Sequence, residues 1–405
     1  MKQGSYIYDL ILFALMALLA FGLIGNGAQP VRLFIIALSP FVVADVFNRP
    51  HKSLYYYRYE CFFLAFWFLW ALAFFFKADD EIESFKNVIY LAIHILGFFE
   101  VLWAANKAKY PQQAIKYGWL AFMVSTIPVA IYEFLTDFHL GMSFQDSGNT
   151  MYVNGVHIER PFASVTFGNL NSYNTVLCWA LPSLFMCNLY PRGKWEQLLG
   201  MVVMGFTSLI IIANASRGAM LCLVIMLGTY VYAYYKFGRN RYLLITVLVL
   251  AIGALVYFLG ELFILIVEKV SMVGLGDDGR AENLVMGFQA FLDSYGLGIG
   301  IGNYGPIMEA VYHVEVPAPH NLFLEVLVCF GLFVALGFLG MVFRIVRIGL
   351  RQGESFNRNM LMFCMAAMLF AGIIDSSYLM KATTWMFLAS VYVYVDSRYN
   401  RVIPK

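Results

Sequence analysis

Along this chain the apolar positions come in long runs, separated by short polar stretches. A bilayer core of about 30 Å needs roughly 20 apolar residues per helix. About twelve runs approach that length, near 6–26, 31–47, 54–76, 88–106, 118–136, 167–189, 197–215, 218–236, 242–264, 321–343, 359–375 and 382–396. They predict an all-α fold, a polytopic membrane helical bundle read as a single integral membrane domain over 1–405. Proline inside such a run, as in Ala180-Leu181-Pro182, is tolerated better in membrane helices than in soluble ones. The first run continues from near Ile7 to about Gly25 with no small-residue cleavage site, so it reads as a span and not as a cleaved signal.

Two connections stand out by length, about 137–166 and about 265–320. Long loops in compact proteins are usually functional. In the second loop Leu284, Val285 and Phe288 recur at helical spacing, so that loop is expected to be partly helical. No internal repeat or separate soluble domain is visible.

Composition agrees with the pattern and removes several function classes. Hydrophobic residues make up 61% of the 405 and charged residues 13%, with a mean hydropathy of +0.71. A soluble domain carries about 25% charged residues. A cytosolic enzyme, a nucleic-acid binder and a disulfide-stapled secreted domain are all excluded on this ground. The net charge of +2 is too balanced for a polyanion-coating protein. The six cysteines lie in apolar runs without CxxC spacing and read as small packing residues.

Sorting the charges gives an orientation. With the N-terminus in the cytoplasm, 18 of the 27 basic residues fall in inner segments and 7 in outer ones, with Arg32 and Arg58 in or beside spans. The positive-inside rule then places both termini in the cytoplasm.

The chemistry is expected among the few polar residues on the outer side. Arg217 sits on a tight turn, Asn214-Ala215-Ser216-Arg217-Gly218, between two apolar runs. It either snorkels to the headgroups or faces an inward substrate path. Arg280, in Gly279-Arg280-Ala281-Glu282-Asn283, is either a solvated loop residue or a ligand-binding cation. Arg160 introduces a polar stretch that includes Asn169, Asn171 and Asn174 at the mouth of an apolar helix. Such asparagines cap and pack the helix, or contact a substrate. His320 follows two prolines in Pro317-Ala318-Pro319-His320-Asn321 and can exchange a proton near neutral pH, or simply sit at the interface bonded to a carbonyl. The adjacent Asp277 and Asp278 read most easily as salt-bridge partners of Arg280. The run Gly296-Leu297-Gly298-Ile299-Gly300-Ile301-Gly302-Asn303 is no nucleotide loop, because it opens no βαβ unit. A tight loop whose backbone approaches a ligand or another helix fits it better. No HExxH, GxSxG or clustered Asp motif is present.

Guanidinium groups hold phosphate oxygens bidentately and stay charged at any physiological pH. Two of them could hold a pyrophosphate, while a histidine takes the proton from an attacking hydroxyl. With these residues in view, the chain resembles the O-antigen ligase and O-antigen polymerase superfamily of bacterial membrane glycosyltransferases. The resemblance rests on Arg160-Pro161-Phe162-Ala163 through Gly168-Asn169-Leu170-Asn171, Ser216-Arg217-Gly218, Gly279-Arg280, and Gly298-Ile299-Gly300 leading to His320-Asn321 and Gly331, and covers roughly residues 155–345.

The resemblance implies an enzyme of the inner membrane with its active site on the periplasmic or outer face. It implies transfer of a glycan from undecaprenyl pyrophosphate to an acceptor hydroxyl, with inversion and without a metal or other cofactor. Arg217 and Arg280 would engage the donor pyrophosphate, and His320 would activate the acceptor. Arg160, Asn169, Asn171 and Asn321 are the further candidates for substrate contact. The acceptor would be a second lipid-linked repeat unit in a polymerase, the favoured reading, or lipid A-core in a ligase. Membrane lipids are expected partners and nucleic acid is not. A polysaccharide transporter or flippase is the alternative of another class. It is disfavoured because transporters place their polar site near the midplane, often on repeats.

Overall fold

The computed structural model describes residues 4–24, 28–48, 56–74, 81–136, 138–140, 150–153, 156–159, 162–237, 280–314, 317–351 and 354–400. The helices are α1 (Tyr6–Ala17), α2 (Pro30–Asn48), α3 (Arg58–Phe74), α4 (Glu81–Lys107), α5 (Pro111–Thr136), α6 (Leu170–Leu189), α7 (Lys194–Ala213), α8 (Arg217–Phe237), α9 (Arg280–Asp293), α10 (Tyr304–Ala310), α11 (Leu322–Arg351), α12 (Ser355–Ala371) and α13 (Ala382–Val395). Every expected run except 242–264 falls on one of them, and 242–264 lies outside the described residues. By length and apolarity, six helices among the described residues could cross a membrane: α2, α4, α5, α7, α8 and α11. Phe41, Phe62, Val224, Leu336 and Phe343, spread over four helices, point outward and are exposed. An apolar surface of this kind suits lipid, since soluble monomers rarely expose large apolar patches.

The centre of the bundle is α13, in which all 14 residues are buried. A helix that is apolar on every side has no face to offer water and belongs inside. Trp385 tilts against Trp67 at 5.5 Å, and Phe387 stacks on Trp179 at 5.2 Å. On α4, a Cβ built on Gly97 would come within 2.7 Å of Met386 Cε, so the absent side chain lets α13 approach.

The two long connections differ from each other. The first holds an antiparallel hairpin, β1 (Thr150–Val153) and β2 (Val156–Glu159), pairing Thr150 with Glu159 and Val153 with Val156. This small strand pair is an addition to the all-α expectation. Between the strands the sequence reads Asn154-Gly155, a dipeptide that favours two-residue hairpins. The second connection contains α9 and α10, as its spacing predicts. Leu284, Val285 and Phe288 on α9 are exposed, whereas Asn283, Gly287, Ala290 and Phe291 form its buried face.

The glycine-rich run shapes α11. That helix is broken at Gly331, whose φ of 80° and ψ of −178° are not helical. A break inside an apolar helix frees backbone groups that lipid cannot satisfy. The glycine loop satisfies them instead. Ile299 N donates to Val328 O at 2.9 Å, Gly300 N to Cys329 O at 3.0 Å, and Leu332 N to Gly296 O at 2.8 Å. A Cβ on Gly298 would lie 2.6 Å from Gly331 N, so the two backbones meet only because both residues are glycine. Close approach to another helix is therefore the role this run plays.

Candidate active site

At the N-terminal end of α11 four polar segments converge. The first is the start of α6. Asn169 caps this helix, its Oδ1 accepting from Asn171 N at 2.7 Å. Asn171 Oδ1 in turn accepts from Ser216 Oγ at 2.9 Å. Buried Asn174 accepts from Asn214 Nδ2 at 2.9 Å. The asparagines are thus bonded within the protein, and they tie α6 to the turn that carries Arg217.

That turn is the second segment. Helix α7 ends at Ala213, Ala215 takes a left-handed φ of 44°, and α8 begins at Arg217. Asn214 anchors the turn by exchanging two bonds with Ala163: it accepts from the Ala163 N–H at 2.8 Å and donates to the Ala163 carbonyl at 3.0 Å. The Arg217 side chain is exposed at this corner. Gly218 lies against the fourth segment, where a Cβ on it would sit 3.3 Å from Ile374 Cγ1.

The third segment joins Arg280 to His320. Arg280 opens α9, and Asn283 one turn later accepts from Ala318 N at 2.9 Å, two residues before His320. Tyr304 on α10 donates to the Asn283 carbonyl at 3.0 Å. His320 itself has a φ of 43°, a conformation that costs a non-glycine residue energy and recurs at functional sites. Asn321 then caps α11, its Oδ1 accepting from Phe323 N at 2.9 Å and Leu324 N at 3.2 Å.

His320 is half-buried, and its Nδ1 is buried with no hydrogen-bond partner among the described residues. Burial, then the positive charge of Arg280, push its pKa below the ordinary histidine value, and Lys381 acts in the same direction. Asp375 and the Ile374 backbone oppose them. Burial and the neighbouring cation thus both favour the neutral imidazole, the form a proton acceptor needs.

The fourth segment, between α12 and α13, was not anticipated as part of the site. Asp375 is buried and ion-paired with Lys381, whose Nζ also donates to Ser172 Oγ at 2.9 Å and Ser376 O at 2.8 Å. Glu325, from the first turn of α11, accepts from Tyr378 N at 2.9 Å and Leu379 N at 3.2 Å. The Tyr378 hydroxyl accepts from Ile374 N at 2.9 Å and Asp375 N at 2.7 Å. These bonds fix the loop so that Asp375 and Lys381 both act on His320. The available signal was two opposite charges, six positions apart, isolated between the runs 359–375 and 382–396.

On the neighbouring α5, Glu133 receives the chain that leads into α6. Its Oε2 accepts from Ser164 N and Val165 N, each at 2.8 Å. Arg160 lies outside the described residues, as do Asp277 and Asp278. Arg280 thus lies near enough for its charge to act on His320, which Asn321 follows in the chain, and Arg217, Asn169 and Asn171 connect to them through Ser216, Gly218 and Ile374.

A bundle of apolar helices with polar side chains concentrated at one end of it is the architecture of a polytopic membrane protein. Residues 201–339 match the family model described as O-antigen ligase. That segment contains Arg217, Arg280, the glycine loop, His320 and Gly331. Over a longer stretch, the chain is 25% identical across 366 residues to the teichuronic acid biosynthesis protein TuaE of Bacillus subtilis (strain 168), covering 85% of this chain and 73% of that protein. The resemblance to the O-antigen ligase and O-antigen polymerase superfamily, read from short motifs, is borne out by these matches.

Proposed function

We propose that the protein transfers a glycan from undecaprenyl pyrophosphate to an acceptor hydroxyl, on the outer face of the bacterial cytoplasmic membrane. In this reading the chain spans the membrane about twelve times with both termini in the cytoplasm, and the His320 end faces outward. The observation that carries it is His320 on its left-handed backbone, with a buried ring nitrogen that has no hydrogen-bond partner among the described residues, within the field of Arg280.

The reaction is a single in-line displacement. The acceptor oxygen forms a bond to C1 of the donor sugar while His320 removes its proton. The bond from C1 to the pyrophosphate oxygen breaks, and the lipid pyrophosphate leaves with the electron pair, so the anomeric centre inverts. Arg217 and Arg280 stand where negative charge grows, and stabilise the transition state more than the ground state. Asp375 paired with Lys381 sets the field around His320 without touching the reacting atoms.

Extension of a lipid-linked repeat unit is the favoured reaction. The relative that aligns with 85% of the chain is named for teichuronic acid biosynthesis, which supports building of a polysaccharide. Ligation to lipid A-core is the second reading, favoured by the description of the family model. Reconstitution in vesicles with undecaprenyl-pyrophosphate-linked glycan, with and without lipid A-core, separates them. Longer lipid-linked chains are expected. Glycan on lipid A-core alone would make the protein a ligase, and transbilayer movement of glycan with no new bond would make it a transporter.

A further inference from the structure

Two polar residues inside apolar helices have no role in the reaction as described. Arg32 lies in the first turn of α2 and is 4% exposed, and His94 lies midway along α4, fully buried. An ionisable side chain within a membrane helix is costly and usually serves a site.

The two are bonded to each other and to one short turn. Arg32 Nε donates to His94 Nε2 at 3.1 Å, and Arg32 Nη2 donates to the Met380 carbonyl at 2.8 Å. The guanidinium also lies 3.8 Å from the centre of the Tyr90 ring. A guanidinium can only donate. His94 Nε2 is therefore an acceptor, and the ring is neutral with its proton on Nδ1. Nδ1 donates to the Leu379 carbonyl at 3.2 Å.

The turn they reach, Tyr378–Met380, belongs to the segment that carries Asp375 and Lys381. Glu325 takes its N–H groups at Tyr378 and Leu379. Thr384 Oγ1 donates to the Tyr378 carbonyl at 2.6 Å, and Trp385 Nε1 to the Leu379 carbonyl at 2.9 Å. A carboxylate thus faces the amides of the turn and a guanidinium faces a carbonyl, the strong form of each bond. Thr384 and Trp385 follow Lys381 in the chain and would shift with it. Arg32 and His94 come from α2 and α4, so they tie the turn to a separate part of the bundle. The Met380 carbonyl belongs to the peptide bond that joins Lys381, whose charge acts on His320.

We propose that Arg32 and His94 are positioning residues of the reaction, which hold the Leu379 and Met380 carbonyls and so keep the Lys381 charge in place beside His320. The word reaction rests on the transferase reading above, but the placing of Lys381 does not.

Two variants test this without changing the net charge. His94→Leu replaces a neutral side chain and removes the bond to Leu379. Arg32→Lys keeps the cation, but a single ammonium does not reproduce the planar fork that serves His94 and Met380 together. Any change at His320 must then come from movement of the groups around it, which are Arg280, Asp375 and Lys381. Asp375 stays anchored through Tyr378 and Glu325. Lys381 is the charge released, and its retreat lets His320 take up a proton more easily.

The first measurement needs no substrate. NMR of the full-length protein in detergent, with labelled histidine and the His320 signal assigned by its loss in His320→Ala, follows the titration of that ring. Both variants should titrate at higher pH than the wild type. The second measurement is glycan transfer in vesicles. There kcat should fall roughly 10–100-fold with donor KM unchanged, and the acid limb of kcat/KM should move to higher pH. Should one variant fail to fold, the other decides. An unmoved or lowered titration of His320, or an undiminished kcat, overturns the proposal. An inactive wild type, or an active His320→Ala, overturns the transferase reading, while the titration still decides the placing of Lys381.

Discussion

The two ends of α11 set their polar residues in different surroundings. Near its C-terminal end Arg344 pairs with Glu60 at 2.7 Å, and Glu60, fully buried, also accepts from Tyr392 at 2.8 Å. In the same region Arg398 grips Asp396 through several bonds and stacks over Tyr56 at 3.3 Å. Lys116 pairs with Glu196, and Lys107 with Asp45. Each of these cations is matched to an anion. At the N-terminal end Lys381 is likewise paired with Asp375, but His320, on a strained backbone, has a ring nitrogen without a hydrogen-bond partner among the described residues, and the Thr383 hydroxyl also lacks one. Buried polar groups cost energy unless bonded. Open groups occur at both ends, since Glu60 Oε2 and Arg344 Nε also lack hydrogen-bond partners among the described residues. What sets the N-terminal end apart is that its open nitrogen belongs to a titratable ring on a left-handed backbone, within the field of Arg280.

The contrast can be broken from either side. The largest effect is expected from His320→Ala, which removes the proton acceptor and should lower kcat by about 10²–10⁴-fold. The check is the rate of glycan transfer by vesicle-embedded protein. Arg217→Ala and Arg280→Ala should each cost about 10²–10³-fold. Lysine at either position should restore little, because it lacks the bidentate fork. Full activity in either alanine variant would remove that arginine from the donor site.

The C-terminal end of α11 should answer differently. Arg344→Met strands Glu60 in the bundle, and should lower stability by about 3 kcal/mol, seen as an earlier thermal unfolding in detergent. Activity per folded molecule should stay near that of the wild type. The smallest effect concerns pH. Only neutral His320 accepts a proton, and its pKa is lowered by burial and by Arg280. The rate therefore falls only as pH drops through that lowered value, and the acid limb of kcat/KM should lie below about 6.5. Asp375→Asn removes a charge that favours protonation, and should move the limb further down.

Much of the fold was legible in the sequence because apolar runs near the bilayer length leave few choices. The runs predict α2, α4 and α11 directly. The break at Gly331 and its repair by Gly296–Gly302 were only half legible. The glycines announced a close approach, but the partner lay some thirty residues away and the bonds are between backbones. Arg217, Arg280 and His320 could be picked out because charges are rare in this chain. Asp375 and Lys381 escaped because each alone resembles an ordinary loop charge, and their significance comes from Glu325 and Tyr378 fixing the loop that carries them. The hydrogen bonds of Asn169 show a helix cap, the blander of the two roles open to it, and Asn321, expected only as a substrate contact, caps α11 as well.

The central claim is that the N-terminal end of α11 carries the chemistry and the C-terminal end carries stability. It is tested most directly by one measurement, glycan transfer per folded molecule for His320→Ala and Arg344→Met in the same vesicles with the same lipid-linked donor. The account predicts that His320→Ala folds like the wild type and transfers almost nothing, while Arg344→Met unfolds earlier and still transfers. An active His320→Ala, or an Arg344→Met that folds normally and is inactive, would contradict it.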